Sequence, residues 1–451
     1  MIVFRKRLLY WLVKEYIRKW GKTIIISFGV GLLVFFLLLS YLRYFVPKLP
    51  VGKNESIGVV GSYGAESLPR FILEDISEGL TSIGQDGKPS PSIARKWKIE
   101  NDGKKYTFFL RNDVFFSDGT KVTSDTISYR FADVKISRPN AQTVVFELKD
   151  SYSPFLISIS RPVFKKGFIG TGTYTVKDVK VNGNFVQSIM LSLRENPYKT
   201  RTYQFYPSPQ ALKIAYALGE ISKAYGLHDI SYKNTTFTTF PNTAVKRSVN
   251  YDYLVAAFYN TQDPDLSDKR LRSALTYALP DSFLGGLRTY SPISPRSWAY
   301  AESFTVGQDV EQAKILLSAS QIGTKSAEIK LEIKTLPKYK QTAEAIASSW
   351  KNINIKTNIV IVETVPAKYQ VFLGNFLLPK DPDQYSLWHK AQANNITHYD
   401  NQRIDKLLED GRKITDVEER KKIYADFQKY LLADSPASFL YFPYEYEITR
   451  K

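Results

Sequence analysis

The sequence predicts a mixed α/β fold, and three patterns in its 451 residues support that prediction. Residues 329–361 read as a strand, a helix and a second strand, because apolar residues alternate, then recur at helical spacing, then alternate again. Residues 97–110 alternate on both sides of an Asn-Asp-Gly turn, which is typical of a β-hairpin. Residues 23–42 contain no charged residue, and that length is enough to cross a membrane as one helix. We therefore expect an α/β domain preceded by one transmembrane helix.

The amino-terminal residues divide into three predicted segments. A basic segment at 1–22 precedes a transmembrane anchor at 23–45, and a tether that contains proline and glycine follows at 46–55. Basic residues crowd the amino-terminal side of the anchor, so we expect a single-pass protein of the cytoplasmic membrane with its amino terminus inside and its globular part outside. A cleaved signal peptide is the alternative, although residues 40–50 offer no small-x-small cleavage site.

Composition and charge exclude several classes of function. The chain has no cysteine, which excludes disulfides, thiolate metal sites and a cysteine nucleophile, and its three histidines lack metal-ligand spacing. The Gly-x-Ser-x-Gly and His-Glu-x-x-His motifs of hydrolases are absent. We therefore expect a protein that is not an enzyme and has no catalytic, cofactor-binding or metal-binding residue. The net charge of +18 includes no long basic run, so nucleic acid is not an expected partner.

Periodicity and capping signals predict the other elements in chain order. Thr123 and its two small polar successors are suited to cap a helix that carries Ile127 and Phe131. Further strands are predicted at 57–60, 143–148, 251–260 and 436–446, and further helices at 211–220, 268–278, 309–319 and 420–430.

An ordered set of residues between 78 and 119 resembles a known family signature. The set is Glu78, Gly79, Leu80, Asp86, Gly87, Pro91, Ala94, Trp97, Asp102, Gly103, Tyr106, Phe108, Leu110, Arg111, Phe115 or Phe116, Asp118 and Gly119. It resembles the signature of solute-binding protein family 5, the extracytoplasmic receptors of peptide, dipeptide, nickel and oligosaccharide ABC importers. So many residue types in order within one window are far more specific than a short motif.

Later segments resemble further parts of the same family. Residues 268–278 (DKRLRSALTYA) resemble a second signature, in which Arg272 is expected to be an ordinary charge on a helix surface. Residues 381–383 and 395–408 resemble an Asp-Pro-Asp segment and the helix that follows it. The resemblance covers about residues 56–446.

The resemblance implies a two-lobed periplasmic-binding-protein-like fold of class II with an extra β-rich subdomain at about 75–165. Lobe I is expected at 56–250, lobe II at 251–435, and a strand returning to lobe I at 436–451. Ligand is then expected between the lobes, which close by hinge motion and dock on the permease subunits of an ABC importer. A sensor or surface scaffold built on the same fold is the alternative, and an extracellular hydrolase is a further one.

Nine residues are candidate ligand contacts, because they lie at predicted strand ends or near the binding segments of the resembled family. They are Tyr63, Tyr259, Asn260, Tyr290, Trp298, Lys380, Asp381, Trp388 and His389. Asp381 and Asp383 have the composition of a catalytic carboxylate pair, but Pro382 between them favours a fixed turn.

The class of ligand stays open. In the resembled peptide receptors, an acidic residue three positions before the Asp-Pro-Asp segment neutralises the peptide amino terminus, and Leu378 occupies that position here. Lys380 adds a positive charge instead. A peptide or an oligosaccharide is the expected ligand, with an anionic solute or a blocked peptide also open, whereas the scarcity of histidine argues against nickel.

Overall fold

The computed structural model describes residues 6–45, 54–302, 307–321, 323 and 329–451. These residues belong to two compact units, Met1–Asn54 and Glu55–Lys451. Most of the predicted tether and the first five residues of the predicted cytoplasmic segment lie outside the described residues.

The first unit contains one long helix, α1 (Lys6–Phe45). Residues Tyr10–Tyr41 of this helix are long and apolar enough to cross a membrane, by length and composition. The predicted basic segment and the predicted anchor are therefore parts of one continuous helix. A membrane span and a signal sequence are both compatible with it.

The second unit begins with a β-rich region. Its elements are β1 (Asn54–Val60), α2 (Arg70–Ile76), β2 (Thr81–Ile83), β3 (Pro89–Pro91), β4 (Ala94–Glu100), β5 (Lys105–Leu110), β6 (Val134–Asn140), β7 (Thr143–Leu148) and α3 (Phe155–Ser158). The predicted hairpin is confirmed as β4 and β5, with Trp97 opposite Phe108. Strands β4, β5, β7 and β6 form a separate sheet in that order, and Phe108 and Phe146 pack in its core.

The prediction of a helix after Thr123 is wrong. Only a single 3₁₀ turn, Ser124–Thr126, forms there. The reason lies in Arg138 of β6, whose guanidinium donates to the carbonyl oxygens of Ser124 at 2.8 Å and Ile127 at 2.9 Å. A continuing helix would use those carbonyls for its own hydrogen bonds, so the arginine replaces the helix at this point.

The remaining elements follow in chain order. They are β8 (Tyr174–Asn182), β9 (Phe185–Leu193), β10 (Thr200–Tyr206), α4 (Pro209–Leu218), β11 (Lys223–Leu227), β12 (Ser231–Tyr232), β13 (Thr235–Thr236), β14 (Thr243–Val249), β15 (Tyr253–Tyr259), α5 (Lys269–Tyr277), β16 (Gly286–Arg288), α6 (Val310–Ser318), β17 (Ile329–Thr335), α7 (Lys340–Lys351), β18 (Ile355–Ile361), β19 (Val371–Leu377), α8 (Tyr385–Trp388), α9 (Gln402–Lys413), α10 (Val417–Asp434) and β20 (Ala437–Arg450). The strand–helix–strand unit predicted at 329–361 is confirmed as β17, α7 and β18, whose strands are parallel.

Most strands of the second unit join one mixed sheet. Its order is β18, β17, β19, β15, β20, β11, β1, β10, β9 and β8, while β14 and β16 both pair with β20. The first half of β20 pairs with β15 and β16, and its second half pairs with β11 and β14. Strand β20 therefore joins the two halves of this sheet. The predicted mixed α/β fold is confirmed.

Arg272 corrects a second expectation from the sequence. Its side chain is buried and not on a helix surface. The guanidinium donates to the carbonyl oxygen of Leu266 at 2.8 Å and to that of Asp434 at 2.8 Å. Arg272 thus joins the segment before α5 to the end of α10 through hydrogen bonds to backbone carbonyl oxygens.

Candidate functional site

Strand β19 has an open edge over its second half. Over Val371–Leu373 it lies between β15 and β17, whereas from Gly374 onward it pairs with β15 alone. Two backbone hydrogen bonds fix the bonding direction of the ladder with β15. The Leu378 N–H donates to the Asp252 carbonyl oxygen, and the Asn260 N–H donates to the Gln370 carbonyl oxygen. Because bonding direction alternates along an antiparallel ladder, Asn375 and Leu377 direct their N–H and C=O groups away from β15, toward the open side.

A cavity of about 190 Å³ lies beside this open edge. Phe258 of β15 forms one wall together with Phe372 and Phe376 of β19, at ring-centroid distances of 6.4 Å and 5.6 Å from Phe258. The full lining is Phe258, Val365, Phe372, Asn375, Phe376, Leu387, Trp388, Asn394, Ile396 and Thr397. The lining is mostly apolar and contains no charged residue, so it suits an uncharged group.

Tyrosines from distant parts of the chain approach the same edge. Tyr63 follows β1, and burial together with the nearby phenol of Tyr253 raises the pKa of Tyr63. Tyr253 pairs with Leu377 at the end of the open edge and is 38% exposed. Burial, Tyr441 and then Tyr253 raise the pKa of Tyr339, which follows β17. Tyr63 after β1 and Tyr339 after β17 are therefore both within electrostatic range of Tyr253, the first residue of β15.

Lys338 is a cationic residue that follows the end of β17, where the pairing between β17 and β19 has stopped. Its side chain is exposed and its Nζ lies 4.8 Å from the ring centroid of Tyr339. Burial nevertheless lowers the pKa of the Lys338 ammonium. Desolvation disfavours the charged ammonium, and a negative charge brought next to it would favour that charged form.

An ion pair lies beside the Leu377 end of the open edge. Lys380 Nζ lies 2.6 Å from Asp252 Oδ1, and the two side chains are about half exposed, at 40% and 52%. The turn between β2 and β3 approaches from the β-rich region, since the Trp298 amide donates to the carbonyl oxygen of Asp86 at 3.1 Å. A Cβ added to Gly87 in that turn would lie 3.5 Å from the Lys380 carbonyl oxygen. The predicted contacts Trp298 and Lys380 therefore lie against the same turn.

The Asp-Pro-Asp segment is held by two arginines, of which Arg420 is buried and Arg412 is partly exposed. Arg420 Nη2 donates to Asp381 Oδ1 at 2.7 Å and its Nη1 donates to Asp381 Oδ2 at 3.2 Å. Arg412 Nε lies 3.0 Å from Asp383 Oδ2, and burial raises the pKa of Asp383. Each carboxylate thus has a cationic partner inside the protein, which agrees with a structural turn rather than an acid–base pair.

Three other sequence candidates lie elsewhere in the fold. Tyr259 is fully buried, its hydroxyl lies 2.6 Å from Ser438 Oγ, and burial raises its pKa to about 12. The Asn260 side chain donates to the Tyr369 carbonyl oxygen at 3.0 Å. His389 is buried and stacks on Tyr385 at 4.1 Å.

Tyr290 and Trp388, the remaining candidates, have different surroundings. The Tyr290 hydroxyl donates to Asp281 at 3.1 Å, and the Arg288 guanidinium lies 4.0 Å from the centroid of its ring. Trp388 lines the cavity, and its indole N–H donates to Gln384 at 2.8 Å. The structure therefore brings Tyr63, Lys380 and Trp388 to the edge and cavity, with Trp298 beside Lys380.

Sequence reasoning missed the centre of this site. It did not identify β19 as a strand, and so it named neither Asn375 nor the three phenylalanines of the cavity wall. The available signal was the apolar run VFLGNFL at 371–377, whose length is typical of a buried strand.

Comparison with known proteins agrees with this architecture. The family model for bacterial extracellular solute-binding proteins, family 5 Middle, matches residues 88–397, which is more than half of the chain. The chain belongs to this family. The family consists of solute-binding proteins that act outside the cytoplasm, and its members are not enzymes.

Individual relatives are distant in sequence but cover most of the chain. The periplasmic oligopeptide-binding protein OppA of Salmonella typhimurium is 25% identical, over 82% of this chain and 82% of its own length. The substrate-binding protein CtaP of Listeria monocytogenes has a TM-score of 0.75 at 20% identity, covering 88% of this chain and 94% of its own. The oligopeptide-binding protein AppA of Bacillus subtilis, solved with a nonapeptide, has a TM-score of 0.66 at 20% identity, covering 89% and 95%.

Proposed function

We propose that this family 5 protein is the extracytoplasmic receptor of an ABC importer and that it binds a peptide along the open half of β19. The observation that carries the proposal is the outward direction of the Asn375 and Leu377 backbone groups. An extended peptide offers amide and carbonyl groups at the spacing of a strand, so it extends the sheet at this edge.

The edge favours a peptide over the other ligand classes of the family. An oligosaccharide has no regularly spaced N–H and C=O groups to pair with a strand, whereas a peptide has one of each per residue. Among the described residues, no group of three or more histidine or acidic side chains is arranged to hold a metal ion. A peptide is also the ligand in the name of OppA and in the solved AppA complex.

Charge at the two ends of the edge gives the ligand a direction. Lys338 lies where β17 leaves the edge, and it suits the carboxylate of a peptide. Asp252, beside the Leu377 end of the edge, is already paired with Lys380, and Asp381 is paired with Arg420. The peptide then runs antiparallel to β19, with its carboxyl end at Lys338.

Helix α1 is proposed to remain as the membrane anchor. A span of this length holds the receptor at the membrane where a permease works. After alkaline carbonate extraction of membranes, the full chain is expected in the pellet. Recovery of a shortened chain in the soluble fraction would instead identify α1 as a cleaved signal sequence.

Thermal unfolding of the detergent-solubilised full chain tests the ligand class. A mixture of tetrapeptides is expected to raise the unfolding midpoint, because a ligand that binds only the folded state stabilises it by mass action. A mixture of oligosaccharides is expected to leave the midpoint unchanged. A shift with oligosaccharides alone, or with neither mixture, would overturn the proposal.

Transport and sensing use the same binding site, so a separate measurement distinguishes them. Cells that lack this protein are expected to lose uptake of a radiolabelled peptide that binds it. Undiminished uptake would favour the sensor or scaffold.

A further inference from the structure

The cavity beside β19 has the size of a single ring. Its volume is about 190 Å³. An apolar protein cavity of about 150 Å³ is known to take up benzene. The cavity beside β19 therefore accommodates a phenyl ring or a branched aliphatic group, and it leaves no room for a second side chain of that size.

The open edge directs alternate side chains of an added strand toward this cavity. Side chains on a strand point to opposite faces of the sheet in turn. Phe372 and Phe376 are four residues apart, an even number, so they share one face of β19, and both line the cavity. A strand added beside Asn375 thus places every second side chain on the face of the phenylalanines.

The chemistry of the lining decides which side chain is favoured. Phe258, Phe372 and Phe376 present ring surfaces, and no charged residue lines the cavity. A charged ligand side chain would lose its hydration there without gaining a partner, which is strongly unfavourable. An aromatic side chain would gain edge-to-face contacts with the phenylalanines in addition to its burial.

We infer that this cavity selects peptides by one aromatic or large aliphatic side chain at a single position. The inference rests on the proposed peptide-binding function and adds the class of peptide.

A series of tetrapeptides tests it. Tetra-alanine is compared with four peptides that each carry one phenylalanine, and dissociation constants are measured on the full chain by isothermal titration calorimetry. We expect one position at which phenylalanine binds at least about tenfold more tightly than alanine, since burying a large apolar side chain is worth that much or more. Aspartate at the same position is expected to abolish measurable binding.

A cavity-filling variant connects this preference to the site. Val365 lines the cavity and is 54% exposed, so Val365→Trp fills the cavity without disturbing the core. This variant is expected to remove the preference, so that the phenylalanine peptide and tetra-alanine bind it with similar dissociation constants. Val181→Trp is the matched control, because Val181 is 61% exposed at the tip of the β8–β9 hairpin, and it should keep the preference.

The outcomes separate this inference from the proposed function. Equal binding of all five peptides would overturn the inference and leave peptide binding in place. A preference that survives Val365→Trp would place the selective pocket elsewhere. Failure of all five peptides to bind would overturn the peptide-binding function itself, and the inference with it.

Discussion

The two halves of β19 share one strand and one register with β15, yet their surroundings differ. Val371–Leu373 lies between two strands, and its side chains are buried. Gly374–Leu377 has a single neighbouring strand, and Leu377 is 61% exposed. The difference arises because β17 ends at Thr335 and a 3₁₀ turn, Pro337–Tyr339, follows it. A sheet thus acquires a surface for recognition where one strand is shorter than its neighbour.

An open sheet edge can pair with another protein chain, and the short length of this edge limits such association. Unpaired backbone groups on a long, flat edge promote pairing with other protein chains. Here the open part is four residues long, Gly374–Leu377, and Pro379 follows after Leu378. The edge is therefore long enough for a short peptide and too short to template extensive association.

The largest expected effect is a loss of stability caused by a substitution in the buried first half of β19, Val371–Leu373. Leu373→Ala should lower the free energy of unfolding by about 2–5 kcal/mol, because it leaves a cavity in a packed core. Leu377→Ala should change it by less than about 0.5 kcal/mol, because Leu377 lies at the surface. Urea denaturation of both variants measures the difference. Equal losses would mean that the two halves are not distinct.

The next effect concerns ligand binding at the open half. Asn375→Pro removes the outward N–H group but no bond of the ladder with β15, so it should weaken peptide binding about tenfold, the value of one hydrogen bond. Asn375→Ala keeps the N–H group and is the matched control for loss of the side chain. Titration of both variants with the same tetrapeptide measures the effect. If the proline and alanine variants bound equally, the backbone group would play no part in binding.

The smallest effect concerns the charge at the end of the edge. A peptide with a free carboxylate should bind a few-fold more tightly than its amide, the size expected for a solvent-accessible ion pair. Lys338→Met should remove that preference. Calorimetric titration of the acid and the amide measures it in both proteins, and an unchanged preference in the variant would place the carboxylate elsewhere.

The pH dependence follows from the lowered pKa of Lys338. The preference for the acid should fade as the pH rises through that pKa, before it reaches the ordinary lysine value of about 10.4. Between the two pKa values the unfolded chain binds more protons at this residue, so the contribution of Lys338 to stability rises with pH. Lys338→Met should reduce that rise in unfolding measurements across the same pH range.

The parts of the fold that depend on local periodicity could be predicted from the sequence. The β4–β5 hairpin and the β17–α7–β18 unit each form from neighbouring residues, so their patterns are visible in the chain. Strand β19 is buried on both faces over its first half, so it shows no alternation, and its helix or strand character cannot be read from periodicity.

The site depends on contacts that are remote in sequence. The open edge exists because β17 ends early, and that end cannot be inferred from residues 371–377. Arg272 was expected at the surface, but its partner Asp434 is 162 residues away. Asp381 was expected in the cleft, but Arg420, which buries it, is 39 residues away. Residue type alone does not distinguish a charged side chain that is buried with a partner from one that contacts ligand, because both roles require a charged group.

Amide hydrogen exchange of β19, resolved by NMR, tests the central claim most directly. In the free protein, the Gly374 and Phe376 amides should exchange slowly because they bond to β15, and those of Asn375 and Leu377 should exchange faster. Saturation with the tightest-binding tetrapeptide should slow exchange at Asn375 and Leu377 and change little at the other two. Binding without added protection at Asn375 and Leu377 would show that the ligand does not pair with this edge.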